Sequence, residues 1–201
     1  MTTFYLIRHG QKEEALGNPP LTTLGKQQAE ITAKHLKDKE IKKIYVSPRK
    51  RTIETATIIA KKLDLQIIPD ERLKERMIWG GHTEISFEEF LAEWVKTDLN
   101  RNFKPRFGDS SIETGKRMES LINEISLDTK DNVLLVSHGG AIADFLRNNF
   151  SDFDLPIVKY KKHDAIFLKI LECSVTIVEK KDGKFLLKQV GSIDHLPTPM
   201  I

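Results

Sequence analysis

The sequence predicts a three-layer α/β fold: a mainly parallel central sheet flanked by helices, with a small inserted cap. Three observations carry that expectation. Short apolar runs alternate with segments of helical periodicity, the pattern of strand and crossover helix. The runs Phe4-Tyr5-Leu6-Ile7, Ile44-Tyr45-Val46 and Val133-Leu134-Leu135-Val136 are apolar at successive positions, as strands covered on both faces are. Each of them ends in cations or imidazoles, namely Arg8-His9-Gly10, Ser47-Pro48-Arg49-Lys50-Arg51 and Ser137-His138-Gly139-Gly140. Open α/β sheets place their chemistry at the carboxyl ends of their strands.

The elements follow in order. After a strand over residues 4–7, Gly17-Asn18-Pro19-Pro20 is a turn. Thr22 then caps a helix in which Ala29, Ala33 and Leu36 recur at helical spacing. A strand over 44–46 leads to a helix over 50–63, with Ile53, Ala56, Ile59, Ala60 and Leu63 on one face, and residues 65–68 read as a short strand. From about 69 to 108 the pattern loosens into the cap excursion, with Trp79-Gly80-Gly81-His82 as turn material and a helix over 87–99. A helix over 110–125, a strand over 132–136 and a helix over 141–150 follow. The remainder is β-rich, with strands over 174–178 and 185–190 joined by the hairpin turn Lys181-Asp182-Gly183-Lys184. Residues 165–170 fit strand or helix equally. Cys173 reads as a small core residue of the strand it precedes.

Composition narrows the function classes. With 201 residues, the chain reads as one domain, 1–201. Lys and Arg number 32 against 29 Asp and Glu, a net charge of +3 without a basic arm, so no nucleic-acid partner is expected. No apolar run reaches the length of a membrane span, and the single cysteine forms no internal disulfide. Met1-Thr2-Thr3 leads straight into the first strand, so a cytoplasmic location away from membranes is the expectation. The six histidines lack the short helical spacing of a zinc site, and no Gly-rich Lys-Ser/Thr loop is present, so neither metal nor cofactor is expected.

Arg8-His9-Gly10, the Ser47–Arg51 segment with Thr55-Ala56 after it, and Ser137-His138-Gly139, in this order, resemble the histidine phosphatase superfamily, also called phosphoglycerate mutase-like. Leu21-Thr22 with Gly25 and Gln28-Ala29, Leu73-Lys74-Glu75-Arg76, Gly108-Asp109-Ser110 and His195-Leu196 extend the resemblance over nearly the whole chain. It implies His9 as a nucleophile that becomes phosphorylated, and a phosphate pocket of Arg8, Arg51 and His138. Those residue types suit phosphoryl transfer, which needs an in-line nucleophile and fixed donors around the peripheral oxygens.

A departing alkoxide needs a proton, and Glu75 matches the donor position of the family, with Glu71 and Glu84 as fallback candidates. The resemblance implies metal-independent hydrolysis of phosphomonoesters, a phosphomutase or a phospho-ligand binding protein being the alternatives. The partner would be a small phosphorylated substrate or a phosphoprotein. Two departures stand out. Gly139 and Gly140 follow the second histidine where some relatives have Asp, and the phosphate-binding Asn after the first histidine is missing, Asn18 being a candidate substitute that the spacing does not demand. Arg49 does not match the family position and reads as a surface residue.

Overall fold

A computed structural model describes residues 1–80, 85–159 and 166–200. A six-stranded sheet runs β3 (Ile67–Pro69), β2 (Ile41–Val46), β4 (Asn132–Ser137), β1 (Thr2–Arg8), β7 (Val175–Lys181), β8 (Lys184–Ser192) from one edge to the other, with β1 inside it. β2, β3 and β4 run parallel to β1. β7 pairs antiparallel with β1, and β8 antiparallel with β7, so the mainly parallel sheet is mixed at one edge. The turn between these last two strands has Asp182 and Gly183 at φ 50° and 78°, the positive pair a tight hairpin requires.

Alternation along the strands builds a core on each face. Phe4, Leu6, Val133 and Leu135 pack against Met118, Leu121 and Ile122 of α4 (Ser111–Asp128) and Phe145 and Leu146 of α5 (Gly139–Asn149). Tyr5, Ile7, Leu134 and Val136 face Ala33 and Leu36 of α1 (Thr23–Leu36) and Ala56 and Ile59 of α2 (Lys50–Leu63). Thr22 caps α1, its hydroxyl accepting from the Gly25 amide at 2.9 Å. The loop after β1 lies directly on the first turn of that helix. A Cβ on Gly10 would stand 2.4 Å from the Gly25 carbonyl oxygen, and one on Gly25 would stand 2.0 Å from that of Gln11. Backbone touches backbone there, which fixes the peptide carrying His9.

Several boundaries move. β2 starts at Ile41, because exposed Lys42 interrupts the apolar run without ending the strand. α5 starts at Gly139, the two glycines forming its first turn. The excursion between β3 and α4 contains a 3-10 turn (Glu71–Leu73) and α3 (Phe87–Leu99), which opens on a reciprocal capping box of Ser86 and Glu89. The open question at 165–170 resolves to a short strand, β6 (Ile166–Leu168), paired antiparallel with β5 (Ile157–Lys159) outside the main sheet and packed against α3. Cys173 is buried, but it sits in the turn before β7 with φ 54° and not in the strand. Its amide donates to the Arg8 carbonyl at 3.0 Å, so the turn is tied to the end of β1. Among the described residues no helix is long and apolar enough to cross a membrane.

Candidate active site

β1 and β4 are parallel neighbours with Arg8 beside Ser137, so the next residue of each chain segment is a histidine at the carboxyl end of the strands. The His9 amide donates to the Ser137 carbonyl at 3.0 Å, and the two imidazole centroids lie 5.3 Å apart. Arg51, in the first turn of α2, reaches between them. Its Nε donates to His9 Nε2 and its Nη2 to His138 Nδ1, both at 3.0 Å. Arginine only donates, so these two ring nitrogens present lone pairs. The other nitrogens carry the protons: His9 Nδ1 donates to the Gly10 carbonyl at 2.7 Å, and His138 Nε2 donates to Ser47 Oγ at 2.8 Å.

Electrostatics agree with that assignment. Burial, and then the charge of Arg51, hold both histidines well below the ordinary imidazole pKa. Burial lowers Arg51 to about 10, which leaves it charged at neutral pH. His9 is therefore a neutral imidazole with Nε2 unprotonated, the form in which it is a nucleophile.

The same depression makes a prediction about stability. Below pH ~6.5 the unfolded chain takes up a proton on each histidine, while the folded chain resists, so unfolding gains up to about 1.4 kcal/mol per pH unit per group until the folded value is reached. The contribution is present above the ordinary value and lost as pH falls toward the depressed one. His9→Ala removes one such group. Urea unfolding between pH 7.5 and 5 should show a shallower loss of stability in that variant, and identical slopes would contradict the assignment.

The other candidates fall in different places. Arg8 lines the cleft and is anchored through Nη1 to the Ile170 carbonyl at 2.7 Å and through Nη2 to Glu172. Glu75 also lines it, with Oε1 accepting from the Arg76 amide at 2.9 Å and Oε2 from the Gly140 amide at 3.0 Å. Gly140 makes room for that carboxylate, since a Cβ there would stand 2.5 Å from Oε1. Glu71 is not in the cleft; it is exposed on the 3-10 turn and paired with Lys74. Glu84, with the rest of 81–84, lies outside the described residues. Asn18 is not among the residues that line the cleft: its Oδ1 accepts from the Lys50 amide at 2.8 Å, capping α2 where Arg49 at the N-cap makes no side-chain capping bond. His195 stands elsewhere, stacked on His35 at 4.7 Å and bonded to Thr32 Oγ1 at 2.9 Å.

Arg49 corrects the sequence reading. It is half-buried, its Nε is buried with no hydrogen-bond partner among the described residues, and its charge helps depress His138. It lines a second hollow that shares Glu75 and Arg76 with the main cleft.

Sequence reasoning missed the groups that support the site. Ser47 Oγ accepts a hydrogen bond from His138 Nε2, Glu172 anchors Arg8, and Thr55 Oγ1 accepts from the Gly10 amide at 3.1 Å while donating to the Arg51 carbonyl at 2.7 Å. The signal for Ser47 was its place directly after an apolar strand. Arg76 closes the cleft floor through two bonds to Asp144, at 2.8 and 2.7 Å, and one to Asp98 at 2.8 Å. The cleft holds about 410 Å3, within the range of small-molecule sites. No group of three or more His, Cys, Asp or Glu suited to a metal occurs among the described residues.

Two imidazoles bridged by a buried arginine at the ends of adjacent parallel strands, with a carboxylate across the cleft, define a class of phosphoryl-handling protein. The chain belongs to the histidine phosphatase superfamily, branch 1, whose signature matches residues 4–192. It is similar to the probable phosphoglycerate mutases GpmB of Yersinia enterocolitica, 27% identical over 100% of this chain and 98% of the relative, and of Proteus mirabilis, 29% identical over 98% and 95%. Among solved structures it resembles YhfR of Bacillus stearothermophilus, with TM-score 0.76, 26% identity and coverage of 98% of this chain and 100% of the other. A mycobacterial glucosyl-3-phosphoglycerate phosphatase solved with inorganic phosphate shares the fold, with TM-score 0.75 at 20% identity, covering 97% and 99%.

Proposed function

We propose that the protein hydrolyses phosphomonoesters through a phosphohistidine on His9, without a metal. One observation supports this most: His9 Nε2 carries a lone pair held in place by Arg51, in a cleft that Arg8 and Glu75 also line. In the first half-reaction the Arg51 Nε–H leaves His9 Nε2 for an oxygen of the bound phosphate, the freed Nε2 attacks phosphorus, the P–N bond forms and the bond from phosphorus to the leaving oxygen breaks. Glu75 in its acid form gives that oxygen a proton. Arg8 and Arg51 meet the charge that spreads over the three peripheral oxygens, and His138, fully buried with its Nε2 proton on Ser47, steadies the Arg51 guanidinium through Nδ1. In the second half, water attacks the phosphohistidine, Glu75 takes its proton, and the P–N bond breaks to release inorganic phosphate.

A phosphomutase is the second reading, favoured by the names of the relatives at 27–29% identity. In that case the phosphoryl group returns to another hydroxyl instead of to water. Incubation with phosphomonoesters, followed by a phosphate-release assay and by phosphorus NMR of any isomerised ester, separates the two. Release of phosphate is expected, unchanged by a chelator and inhibited by vanadate. Isomerisation without release would favour the mutase, and restoration of chelator-lost activity by a divalent metal would overturn the metal-free mechanism.

A further inference from the structure

We propose that the leaving group this cleft takes is apolar and flat, an aryl-bearing alcohol carrying no second anionic group. The inference rests on the phosphomonoesterase reading and names the substrate class of the same site. Beyond the phosphate-facing residues, one wall of the cleft is aromatic. Trp79 lies edge-on to Phe87 at 5.3 Å and tilted to Phe90 at 5.8 Å, and Phe90 is 6.1 Å from Trp94. Phe167, from β6, lines the same cleft. Trp79, Phe90 and Trp94 are half-buried and Phe87 is 52% exposed, so apolar ring surface is left facing the opening. A cluster of large apolar side chains on a cleft that also holds polar catalytic groups is the signature of a small-molecule site.

The charges in the wall decide against a leaving group with its own carboxylate or phosphate. Arg76 is the cation nearest the rings, 4.6 Å from the centroid of Trp94, and it is already neutralised by Asp144 and Asp98. Arg147 is almost wholly buried and pairs with Asp152. Among the described lining residues that leaves, outside the phosphate-facing set, only the exposed lysines Lys12 and Lys169 at the rim. A second anion seated on the aromatic wall would lose water and gain no buried partner. An aryl tail there gains ring contact and sheds water-exposed apolar area.

The test holds the reacting bond constant and varies only the tail. kcat/KM is measured on the full-length protein for propyl phosphate, 3-phenylpropyl phosphate and 3-phosphoglycerate, all esters of alkyl alcohols. Burial of the phenyl ring should favour the phenylpropyl ester over the propyl ester by about 10- to 100-fold, with 3-phosphoglycerate the poorest. Trp79→Ala with Phe90→Ala should reduce that ratio at least ~5-fold, and Phe87→Ser, at an exposed position, should reduce it in the same direction with less risk to folding. A ratio near one, or 3-phosphoglycerate as the best substrate, overturns the inference. Absence of phosphate release from all three esters instead overturns the hydrolase reading. The tail preference is then decided by calorimetric Kd values of the non-hydrolysable propyl and 3-phenylpropyl phosphonates, where equal affinities overturn it and tighter phenylpropyl binding upholds it.

Discussion

Replacing His9 with Ala should lower turnover of any accepted phosphomonoester by ~10⁴-fold or more while the protein stays folded, because no other described group offers a lone pair in the same place. The ring is buried, yet it belongs to neither of the two main apolar cores, and among the described residues its side-chain bonds go to the Gly10 carbonyl and Arg51. What the variant loses is chemistry and one partner of a guanidinium. Rapid quench of the wild type with a phosphorus-labelled ester should trap acid-labile, base-stable label on His9, absent from the variant. Turnover within a few-fold of wild type would remove His9 from the nucleophile's role, and label on another residue would reassign it.

Glu75→Gln should separate substrates by how much help their leaving groups need. An alkoxide is strongly basic and must be protonated as it departs, whereas a nitrophenolate is stable near neutral pH. One positioned acid contributes ~10²- to 10⁴-fold, so kcat/KM for an alkyl phosphate should fall by about that range, and for the nitrophenyl ester much less. Glutamine keeps one carbonyl oxygen to accept from the Arg76 or the Gly140 amide and loses the acceptor for the other. A pH series for both esters guards against mistaking a shifted profile for lost catalysis. Equal losses on the two esters would give Glu75 a binding or structural part, and no loss would remove it from the chemistry.

The strand ends were the legible part of this molecule. Buried strands must be apolar, and the first polar residue after each run marks where the sheet stops, so His9 and His138 could be placed at strand ends from local pattern, while Arg51 was told from Arg49 only by the family resemblance. Glu71 and Glu75 were harder to tell apart, since both are acidic and lie in one short segment. The 3-10 turn decides, sending Glu71 to solvent and Glu75 to the Gly140 amide. Arg49 was read as surface because it does not match the family position that Arg51 fills. Its side chain at the N-cap of α2 instead has Nε out of water and lines a hollow with Glu75 and Arg76. The wall that includes Phe167 had no local signal at all. β6 reaches the cleft because it packs on α3, a contact between segments with no shared periodicity. Cys173 shows the same limit, its left-handed backbone being set by a tie to Arg8 that strand propensity does not encode.

The register that sets the two histidines side by side also governs how the chain comes together. β1 has Thr3 opposite Asn132 of β4 on one side and opposite Glu179 of β7 on the other, and Thr2 Oγ1 donates to the carbonyl of Thr129, 127 positions away. Neither partner strand exists when β1 leaves the ribosome. At ~5–20 residues per second, the apolar run Phe4–Ile7 waits ~6–25 s for β4 to be made, uncovered in its final pairing. Contacts this distant form slowly in refolding as well. Renaturation yield should therefore fall as protein concentration rises, with β1 the segment that a holding chaperone would grip.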